Sequence, residues 1–493
     1  MKKHVLDIAA FACGAMIMVL ELTASRILAP YFGTSNMIWT GIIGIILLSI
    51  SMGAYLGGVL SDKKPRYRML STVIIAAGLW ILLLPIVSAG LLGFISANTA
   101  DIRIGAVLSA IVLFLPPSLA LGTVSPFAVK LRINGLKGVG KTAGKLSALS
   151  TLGSITGTFL AGFVLIPLVG STQILYIIGL VLISTAFIVY VPNVKKTASI
   201  VVAAVLLVAI GQSTGGARAA RNLLDTDSQY GRIEIYDTTL TSGRPIRVFV
   251  IDSEYESAMF PDAPYELALE YTKYYDLMNY FHPDIETTLM IGGCGYSYPK
   301  HYLRLYPDRS MDVVEIDPKV TEIARDLFYL EESDRLRVYH QDGRVFLNET
   351  DHQYDVILND AFRGLTPPFH LATKEAAEAI YAALHEDGVY LTNLICSLEG
   401  EKSGILDVTV NTLRQVFPAV YLFPCFGTAD TEGVQNIMVV ATKEERRSNM
   451  EESGDDALDA MIRNHYEKAT FRNQLVITDD YAPLDYYIRS VLY

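Results

Sequence analysis

Seven long apolar stretches fill the first 213 residues and constrain the fold more than any other feature of the chain. About 20 apolar residues in a helix suffice to cross the hydrocarbon core of a bilayer. The sequence therefore predicts a helical bundle of about seven spans near residues 4–29, 38–60, 69–95, 103–129, 147–168, 171–192 and 197–213. The first stretch is too long for a removable signal peptide and lacks a small-residue cleavage site.

The charge of the chain changes sign after this apolar part. Residues 1–220 hold 16 Lys and Arg against 4 Asp and Glu, whereas the remainder holds 24 against 47. An acidic second half makes nucleic acid an unsuitable partner. The four cysteines have no paired spacing, so we expect neither a disulfide framework nor a metal site.

Small and charged residues within the spans predict how the helices meet. Small residues allow close helix packing in lipid, and we expect it at Gly53, Gly57, Gly58, Gly153, Gly157 and Gly162. Prolines should kink the fourth span. Glu21 and Arg26 belong to the first span, where a charge is costly and usually faces the bundle interior. The sequence leaves three roles open for these two residues: a structural ion pair, an interfacial anchor, or part of a substrate or ion path.

The segment 287–320 has the pattern strand, glycine turn, helix, strand, acid, helix. Its first strand ends in three glycines, Gly292, Gly293 and Gly295. Glycines permit positive φ and let a ligand approach the backbone, and the next helix presents free N–H groups. Glu315 follows the second strand, at the distance where an acid commonly hydrogen-bonds a ribose diol. The segment therefore predicts a nucleoside-binding half-site.

The same segment departs from the dinucleotide-binding fingerprint. Tyr298 stands where the third glycine of G-x-G-x-x-G belongs. A bulky side chain there argues against a pyrophosphate pressed on the helix. A tight turn without any ligand is the simpler alternative.

Strands and helices alternate from residue 287 onward, which predicts a mainly parallel, doubly wound α/β sheet of the Rossmann type. Ligands of such sheets bind at the carboxyl ends of the strands. Four successive strand ends carry Gly292, Glu315, Asp342 and Asp360. The predicted organisation is a bundle (1–213), a linker (214–228), a small β-meander with a tyrosine-rich helix at 264–281 (229–281), and a nucleoside-binding catalytic domain (282–493).

The series of motifs resembles spermidine synthases and, behind them, S-adenosylmethionine-dependent Rossmann enzymes. The resemblance covers roughly 227–442 and rests on Gln229-Tyr230, IGGCG, VVEIDPKV, QDG and YDVILNDAF. The whole chain is also similar to a family that fuses a multi-span bundle to such a domain. That similarity rests on ELTASRILAPYFGTS, STLGSITGTFLAGF, PPFHLATKEA and TDDYAPLDYY.

The resemblance assigns roles to individual residues. It implies that Glu315 holds the ribose, and that Asp342 receives the adenine amine while Gly343 gives space. Asp360 would lie beside the sulfonium and the attacking amine, where a carboxylate stabilises the cation and orients the nucleophile. Taken alone, Asp342-Gly343 could be a turn and Asp360 a helix cap.

Several positions depart from the spermidine synthase pattern. Gly295 replaces an acid that takes the aminopropyl ammonium, and Arg363 replaces an acid that binds the diamine. Glu256 replaces a glutamine that spermidine synthases have in the strand that acts as their gate. Arg363 could instead hold a carboxylate, which full S-adenosylmethionine has and its decarboxylated form lacks. The candidates for the remaining substrate contacts are Gln229, Glu256, Tyr271, Asp479 and Asp480, although aromatic residues at helical spacing are usually packing.

These observations predict a membrane-bound transferase that uses an adenosyl sulfonium donor, with aminopropyl transfer to an amine or polyamine as the leading reaction. The expected donor is either decarboxylated S-adenosylmethionine or S-adenosylmethionine itself, and we expect no metal ion to take part. A methyltransferase, or another reaction of full S-adenosylmethionine, is the first alternative. A transporter whose soluble half senses a nucleoside or polyamine is the second. The expected partners are a small amine and the lipid bilayer, and a homodimer is also considered.

The loop charges conflict with the expected chemistry. Lys and Arg cluster in alternate loops, which would all be cytoplasmic. Seven spans then place the second half outside, whereas adenosyl donors are cytosolic. From the chemistry we expect the soluble half of this multi-pass cell-membrane protein to be cytosolic, in which case one span does not cross; if all seven cross, the soluble half faces out.

Overall fold

The computed structural model describes residues 2–33, 35–99, 101–133, 138–219, 222–362, 367–445 and 450–492. The chain divides into two compact units, Met1–Glu234 with Ile251–Ser253, and Ile235–Val250 with Glu254–Tyr493.

The first unit is built from long helices. In chain order they are α1 (Lys2–Phe32), α2 (Asn36–Lys63), α3 (Tyr67–Asn98), α4 (Ile102–Gly122), α5 (Val124–Arg132), α6 (Val139–Leu160), α7 (Ile166–Leu168), α8 (Ser171–Val189) and α9 (Val194–Ala219). A π-helical turn, Ala161–Leu165, joins α6 to α7. With α4–α5 and α6–α7 each counted as one rod, seven helices of the described chain are long and apolar enough to cross a membrane. Each corresponds to one predicted span.

Close backbone approach holds the rods together. A Cβ at Gly153 would overlap the carbonyl of Phe11, and one at Gly157 that of Ala15, so α1 and α6 touch through their backbones. The prediction of close packing is wrong at Gly58 and Gly162, where a Cβ would meet nothing within 4 Å. The fourth span is interrupted at Thr123, between α4 and α5 and six residues after Pro117.

A five-stranded meander follows the bundle. Its strands are β1 (Leu224–Asp227), β2 (Arg232–Thr239), β3 (Pro245–Ile251), β4 (Glu254–Phe260) and β5 (Ala263–Leu267), in that order across the sheet. The predicted linker therefore contains the end of α9 and all of β1. The predicted helix at 264–281 is also wrong at its start, because residues 263–267 pair with β4. Only α10 (Glu270–Lys273), a 3₁₀ turn (Tyr274–Leu277) and α11 (Met278–Phe281) are helical there.

The rest of the second unit is a doubly wound α/β domain. Its elements are β6 (Thr287–Ile291), α12 (Ser297–Leu305), β7 (Ser310–Val314), α13 (Pro318–Leu327), β8 (Leu336–Tyr339), α14 (Gly343–Glu349), β9 (Tyr354–Asn359), α15 (Lys374–Ala383), β10 (Leu384–Cys396), α16 (Gly404–Leu413), β11 (Ala419–Pro424), β12 (Gln435–Thr442), α17 (Asp456–Ile462) and α18 (Leu484–Leu492). Short 3₁₀ turns lie at Phe369–Leu371 and Glu401–Ser403.

The strand order is β11-β12-β10-β9-β6-β7-β8. The pairs β10–β9, β9–β6, β6–β7 and β7–β8 are parallel, and β12 is antiparallel to both neighbours. This confirms the predicted Rossmann-like sheet. From β6 the chain winds one way to β8, and from β9 it winds the other way. The reversal between β6 and β9 is the place where such sheets bind ligands.

Candidate active site at the strand ends

The polar strand ends lie side by side at the sheet reversal. Ile291 pairs with Asn359, and the Asp360 N–H donates to the Ile291 carbonyl at 2.9 Å. On the other side of β6, the Glu315 N–H donates to the carbonyl of Tyr339, the last residue of β8. The carboxyl ends that carry Asp360, the glycine turn and Glu315 are therefore neighbours.

The glycine turn needs glycine for steric reasons at its first position. Gly292 has a φ of +93°, which L side chains rarely adopt. A Cβ there would also lie 2.6 Å from the Asp360 carbonyl oxygen. Cys294 has a φ of +41° without being glycine, so the turn carries some backbone strain. The backbone of the turn thus passes directly beside the end of β9.

Glu315 holds the glycine turn as well as facing it. Its Oε2 accepts from the N–H groups of Gly293 (2.9 Å) and Cys294 (3.1 Å), and its Oε1 accepts from Asp317 N–H (2.9 Å). Burial raises the pKa of Glu315, and these backbone N–H groups partly oppose that rise. A carboxylate has about four acceptor positions, so it can still receive a further hydrogen bond.

Gly295 sits where the space for a side chain is already filled. A Cβ at this position would lie 2.6 Å from Ser257 Oγ and 3.1 Å from Phe328 Cδ1. Ser257 Oγ is itself 3.2 Å from Ser297 Oγ, at the start of α12. An acid at Gly295 would require the side chains of Ser257 and Phe328 to shift.

Asp360 lies in a pocket of tyrosines. Its Oδ2 accepts from the Tyr271 hydroxyl at 3.0 Å. Burial raises the pKa of Asp360 to about 6, against the opposing influence of Tyr275, Tyr271 and Asn393. Tyr275 and Asn393 act at longer range, because Asp360 Oδ1 and the Tyr275 hydroxyl are both buried without a hydrogen-bond partner among the described residues. A ligand or a water molecule that reached these two atoms would satisfy them.

Further acidic groups surround the same point. Burial raises the pKa of the Cys294 thiol, and the carboxylates of Glu256, Glu315 and Asp360 add to the rise. Glu256 and Asp360 likewise contribute to the raised pKa of Tyr271. The structure therefore brings Glu256 into electrostatic range of Asp360 and the glycine turn. The region is negative and would attract a cation.

Asp342 is engaged in local contacts. It caps α14, its Oδ1 accepting from the N–H groups of Arg344 and Val345, and its Oδ2 lies 2.9 Å from His370 Nε2. A Cβ at Gly343 would lie 2.6 Å from a methyl of Ile291, so this glycine allows α14 to approach β6. Asp342 therefore acts as a helix cap in this structure. Its carboxylate is nevertheless partly exposed.

The other predicted substrate residues are dispersed. Asp479 binds Arg344 (Nη2 to Oδ2, 3.0 Å) and the Thr373 hydroxyl, and Asp480 is exposed in the turn that follows. Gln229 belongs to the first unit, where its carbonyl accepts from Arg26. Arg363 lies outside the described residues.

Sequence reasoning did not select Tyr275, Ser257 or His370 as site residues. Tyr275 follows Tyr271 by four residues, a helical spacing that would have placed both on one face. No comparable signal singles out Ser257, whose position depends on the pairing of the meander. Among the described residues, no group of three His, Cys, Asp or Glu side chains could hold a metal ion.

The candidate site lies within a region of the chain that is similar to a known family of domains. Residues 275–449 match the model of the spermine/spermidine synthase domain. The C-terminal half carries a spermine/spermidine synthase domain. The helical bundle is additional to it.

Curated relatives include several polyamine aminopropyltransferases. The one from Vibrio vulnificus is 38% identical over 146 residues, or 29% of this chain and 47% of the relative. That of Thermococcus kodakarensis is 28% identical over 226 residues, 43% of this chain and 75% of the relative. The human eEF1A lysine and N-terminal methyltransferase is 30% identical over 146 residues, 27% of this chain and 20% of the relative. The chain spans about half the length of the first curated relatives. The aligned part covers 47%, 40% and 59% of the aminopropyltransferases of Vibrio vulnificus, Streptococcus uberis and Streptococcus pneumoniae, respectively.

Solved structures resemble the chain more distantly. A probable spermidine synthase from Corynebacterium glutamicum has a TM-score of 0.42 at 20% identity, covering 49% of this chain and 86% of its own. A spermidine synthase in complex with the transition-state analogue AdoDATO has a TM-score of 0.39 at 19% identity, covering 49% and 85%.

Proposed function

We propose that the synthase domain transfers an aminopropyl group from decarboxylated S-adenosylmethionine to an amine. The observation that carries this proposal is Asp360, a carboxylate at the sheet reversal whose Oδ1 has no partner beside the buried, unpartnered hydroxyl of Tyr275. The family of the domain supports the same reaction.

The proposed chemistry is a displacement at carbon. The lone pair of a neutral amine attacks the aminopropyl carbon bonded to the sulfonium, and the carbon–sulfur bond breaks with its electrons going to sulfur. Methylthioadenosine leaves, and the new ammonium releases a proton. Asp360 would accept a hydrogen bond from the amine and stabilise the positive charge, since its pKa of about 6 keeps it ionised at neutral pH. Tyr271 would orient that carboxylate through its hydroxyl.

The donor nucleoside would bind along the neighbouring strand ends. Gly292, Gly293 and Gly295 would let it approach the backbone, and Glu315 would use its remaining acceptor position for the ribose. Asp342 would receive the adenine amine, in exchange for or alongside His370.

Glu256 is the better candidate to replace the missing acids. It lies within electrostatic range of Tyr271 and Cys294, beside the proposed reaction site. Asp479 is already paired with Arg344 and Thr373, and that pairing satisfies its charge elsewhere. We therefore propose Glu256, rather than Asp479 or Asp480, as the group that binds the ammonium of a substrate.

Methyl transfer from full S-adenosylmethionine is the second candidate. The filled space at Gly295 favours it, because an acid that could bind an aminopropyl ammonium from this position would collide with Ser257. One relative is also named as a lysine and N-terminal methyltransferase.

The bundle supports a multi-pass membrane location, since seven helices of the described chain have the length and apolarity to cross. A transporter with a sensing domain would use the same bundle without turnover.

One assay separates these functions. Purified full-length protein in detergent is incubated with each donor, labelled in the adenosyl group, and with putrescine or another diamine. Methylthioadenosine together with an aminopropylated amine supports the proposal, whereas adenosylhomocysteine supports methyl transfer. Methylthioadenosine without amine product indicates donor cleavage. Binding of methylthioadenosine without turnover of either donor supports a sensor.

A further inference from the structure

The helical bundle has one strongly cationic end that ion pairs hold together. Asp7, near the start of α1, pairs with Arg132 at the end of α5 and with Lys145 in the first turns of α6. Lys130 of α5 pairs with Asp62 at the end of α2 at 2.6 Å. The ends of α1, α2, α5 and α6 therefore meet at one side of the bundle, and by their Lys and Arg content they belong to the cytoplasmic side.

The start of the meander is attached at the opposite end of the same helices. Arg26 of α1 donates to the carbonyls of Ser228 (3.4 Å) and Gln229, in the turn between β1 and β2. Arg26 follows Asp7 by 19 residues, which corresponds to about 28 Å along a helix. This is close to the thickness of a hydrocarbon core, about 30 Å.

A second contact gives the same placement independently. Asp227 Oδ2, at the end of β1, accepts from the N–H of Ser171, the first residue of α8, at 2.8 Å. The rod of α6 and α7 starts near Lys145 at the cationic end and finishes at Leu168, only three residues before Ser171. Ser171 thus lies at the end of the bundle away from the cations.

We propose that the chain leaves the bundle on the non-cytoplasmic side, so that residues 235–493 with the synthase domain face out of the cytoplasm. Among the described residues after Ser213, no further helix is long and apolar enough to cross back. In this topology all seven helices cross the bilayer. A domain on that side meets an adenosyl donor only after the donor has crossed the bilayer or been released outside.

This inference rests on the proposed membrane location but not on the proposed reaction. Turnover by the purified protein in detergent does not depend on the side of the membrane. Failure of the transferase assay and failure of the sidedness test are therefore separate results.

The experiment compares two single-cysteine additions in the full chain. Ser242→Cys places a thiol in the exposed turn between β2 and β3, and Pro65→Cys places one in the exposed loop between α2 and α3 without removing a Lys or Arg. A membrane-impermeant maleimide is added to spheroplasts of a bacterial host, before and after permeabilisation. The parent chain, whose four cysteines are buried or partly buried, gives the background.

We expect Ser242→Cys to be labelled in sealed spheroplasts, and Pro65→Cys only after permeabilisation, with at least a tenfold difference in label. The reverse pattern would overturn the proposal, since it would place the synthase domain in the cytoplasm. Equal labelling of the two thiols, in sealed or only in permeabilised spheroplasts, would overturn it as well. The two sites would then share a side, and one helix would not cross.

Discussion

The Tyr271 hydroxyl donates a 3.0 Å hydrogen bond to Asp360 Oδ2, and so connects the short helix after the meander to the end of β9. A hydrogen bond to the ionised form of a carboxyl lowers its pKa. The bond thus opposes the burial that raises the pKa of Asp360 to about 6.

Removing this hydroxyl should shift the pH dependence of the reaction. Wild-type kcat/KM for the donor, measured at saturating amine, should rise with pH through about 6 as Asp360 loses its proton. In Tyr271→Phe the acidic limb should move to higher pH, so that activity falls severalfold at pH 6 and recovers above pH 8. Tyr274→Phe is the control, because the Tyr274 hydroxyl accepts from Asn464 instead. An acidic limb that stays in place would show that Tyr271 does not act on Asp360.

Asp360→Asn should keep nucleoside binding and lose turnover. The amide is nearly isosteric but offers no negative charge to the sulfonium or the attacking amine. We expect kcat to fall by about 10²–10⁴-fold, with an unchanged Kd for methylthioadenosine by calorimetry. Asp355→Asn, near the other end of β9, should retain activity because its oxygen can still accept from the N–H groups of Glu286 and Thr287. Wild-type turnover in Asp360→Asn would reduce Asp360 to a structural role.

Glu315→Ala should weaken methylthioadenosine binding by about tenfold to a hundredfold. One ribose hydrogen bond to a charged acceptor is worth about 1.5–3 kcal/mol. The same substitution leaves three backbone N–H groups without their acceptor, so Tm should also fall. Glu315→Gln keeps an acceptor oxygen and should lower Tm less than Ala does, while still weakening binding. Calorimetry and thermal melts of both variants separate the two effects, and an unchanged Kd in both would refute the ribose contact.

Arg363 should influence which donor binds. The sequence places a guanidinium where spermidine synthases have an acid, and a guanidinium attracts the carboxylate of full S-adenosylmethionine. If the second candidate, methyl transfer, is the reaction, wild type should bind full S-adenosylmethionine about tenfold to a hundredfold better than the decarboxylated form, and Arg363→Asp should narrow or invert that ratio. Arg463→Asp, at an exposed position directly after α17, controls for overall charge. A wild-type preference for the decarboxylated donor would contradict this prediction and support Glu256 as the acid that binds its ammonium.

The elements that the sequence predicted well are those whose pattern is local. Seven apolar runs, the alternation after residue 287 and the four polar strand ends all depend on residue type and spacing along the chain. The strand β9 (Tyr354–Asn359) is an example, because its largely apolar run is almost wholly buried. The polar residues Gln353 and Asp360 flank this run in the sequence.

The errors occurred where long-range pairing overrides a local pattern. The tyrosine spacing of 264–281 is helical, but residues 263–267 gain hydrogen bonds from β4 and become β5. The predicted linker likewise contains β1, because that strand pairs with β2 of the meander. Backbone partners that are distant in sequence determine both elements.

The sequence alone determined that this protein has an apolar helical part and a Rossmann-like part, because helix, strand and turn patterns are written in consecutive residues. Only the tertiary structure decided that Ser257 fills the space at Gly295, that Tyr271 and Tyr275 surround Asp360, and that Asp479 is committed to Arg344. Those relationships join residues from 38 to 135 positions apart, and no periodicity along the chain records a contact that forms only when strands and helices pack.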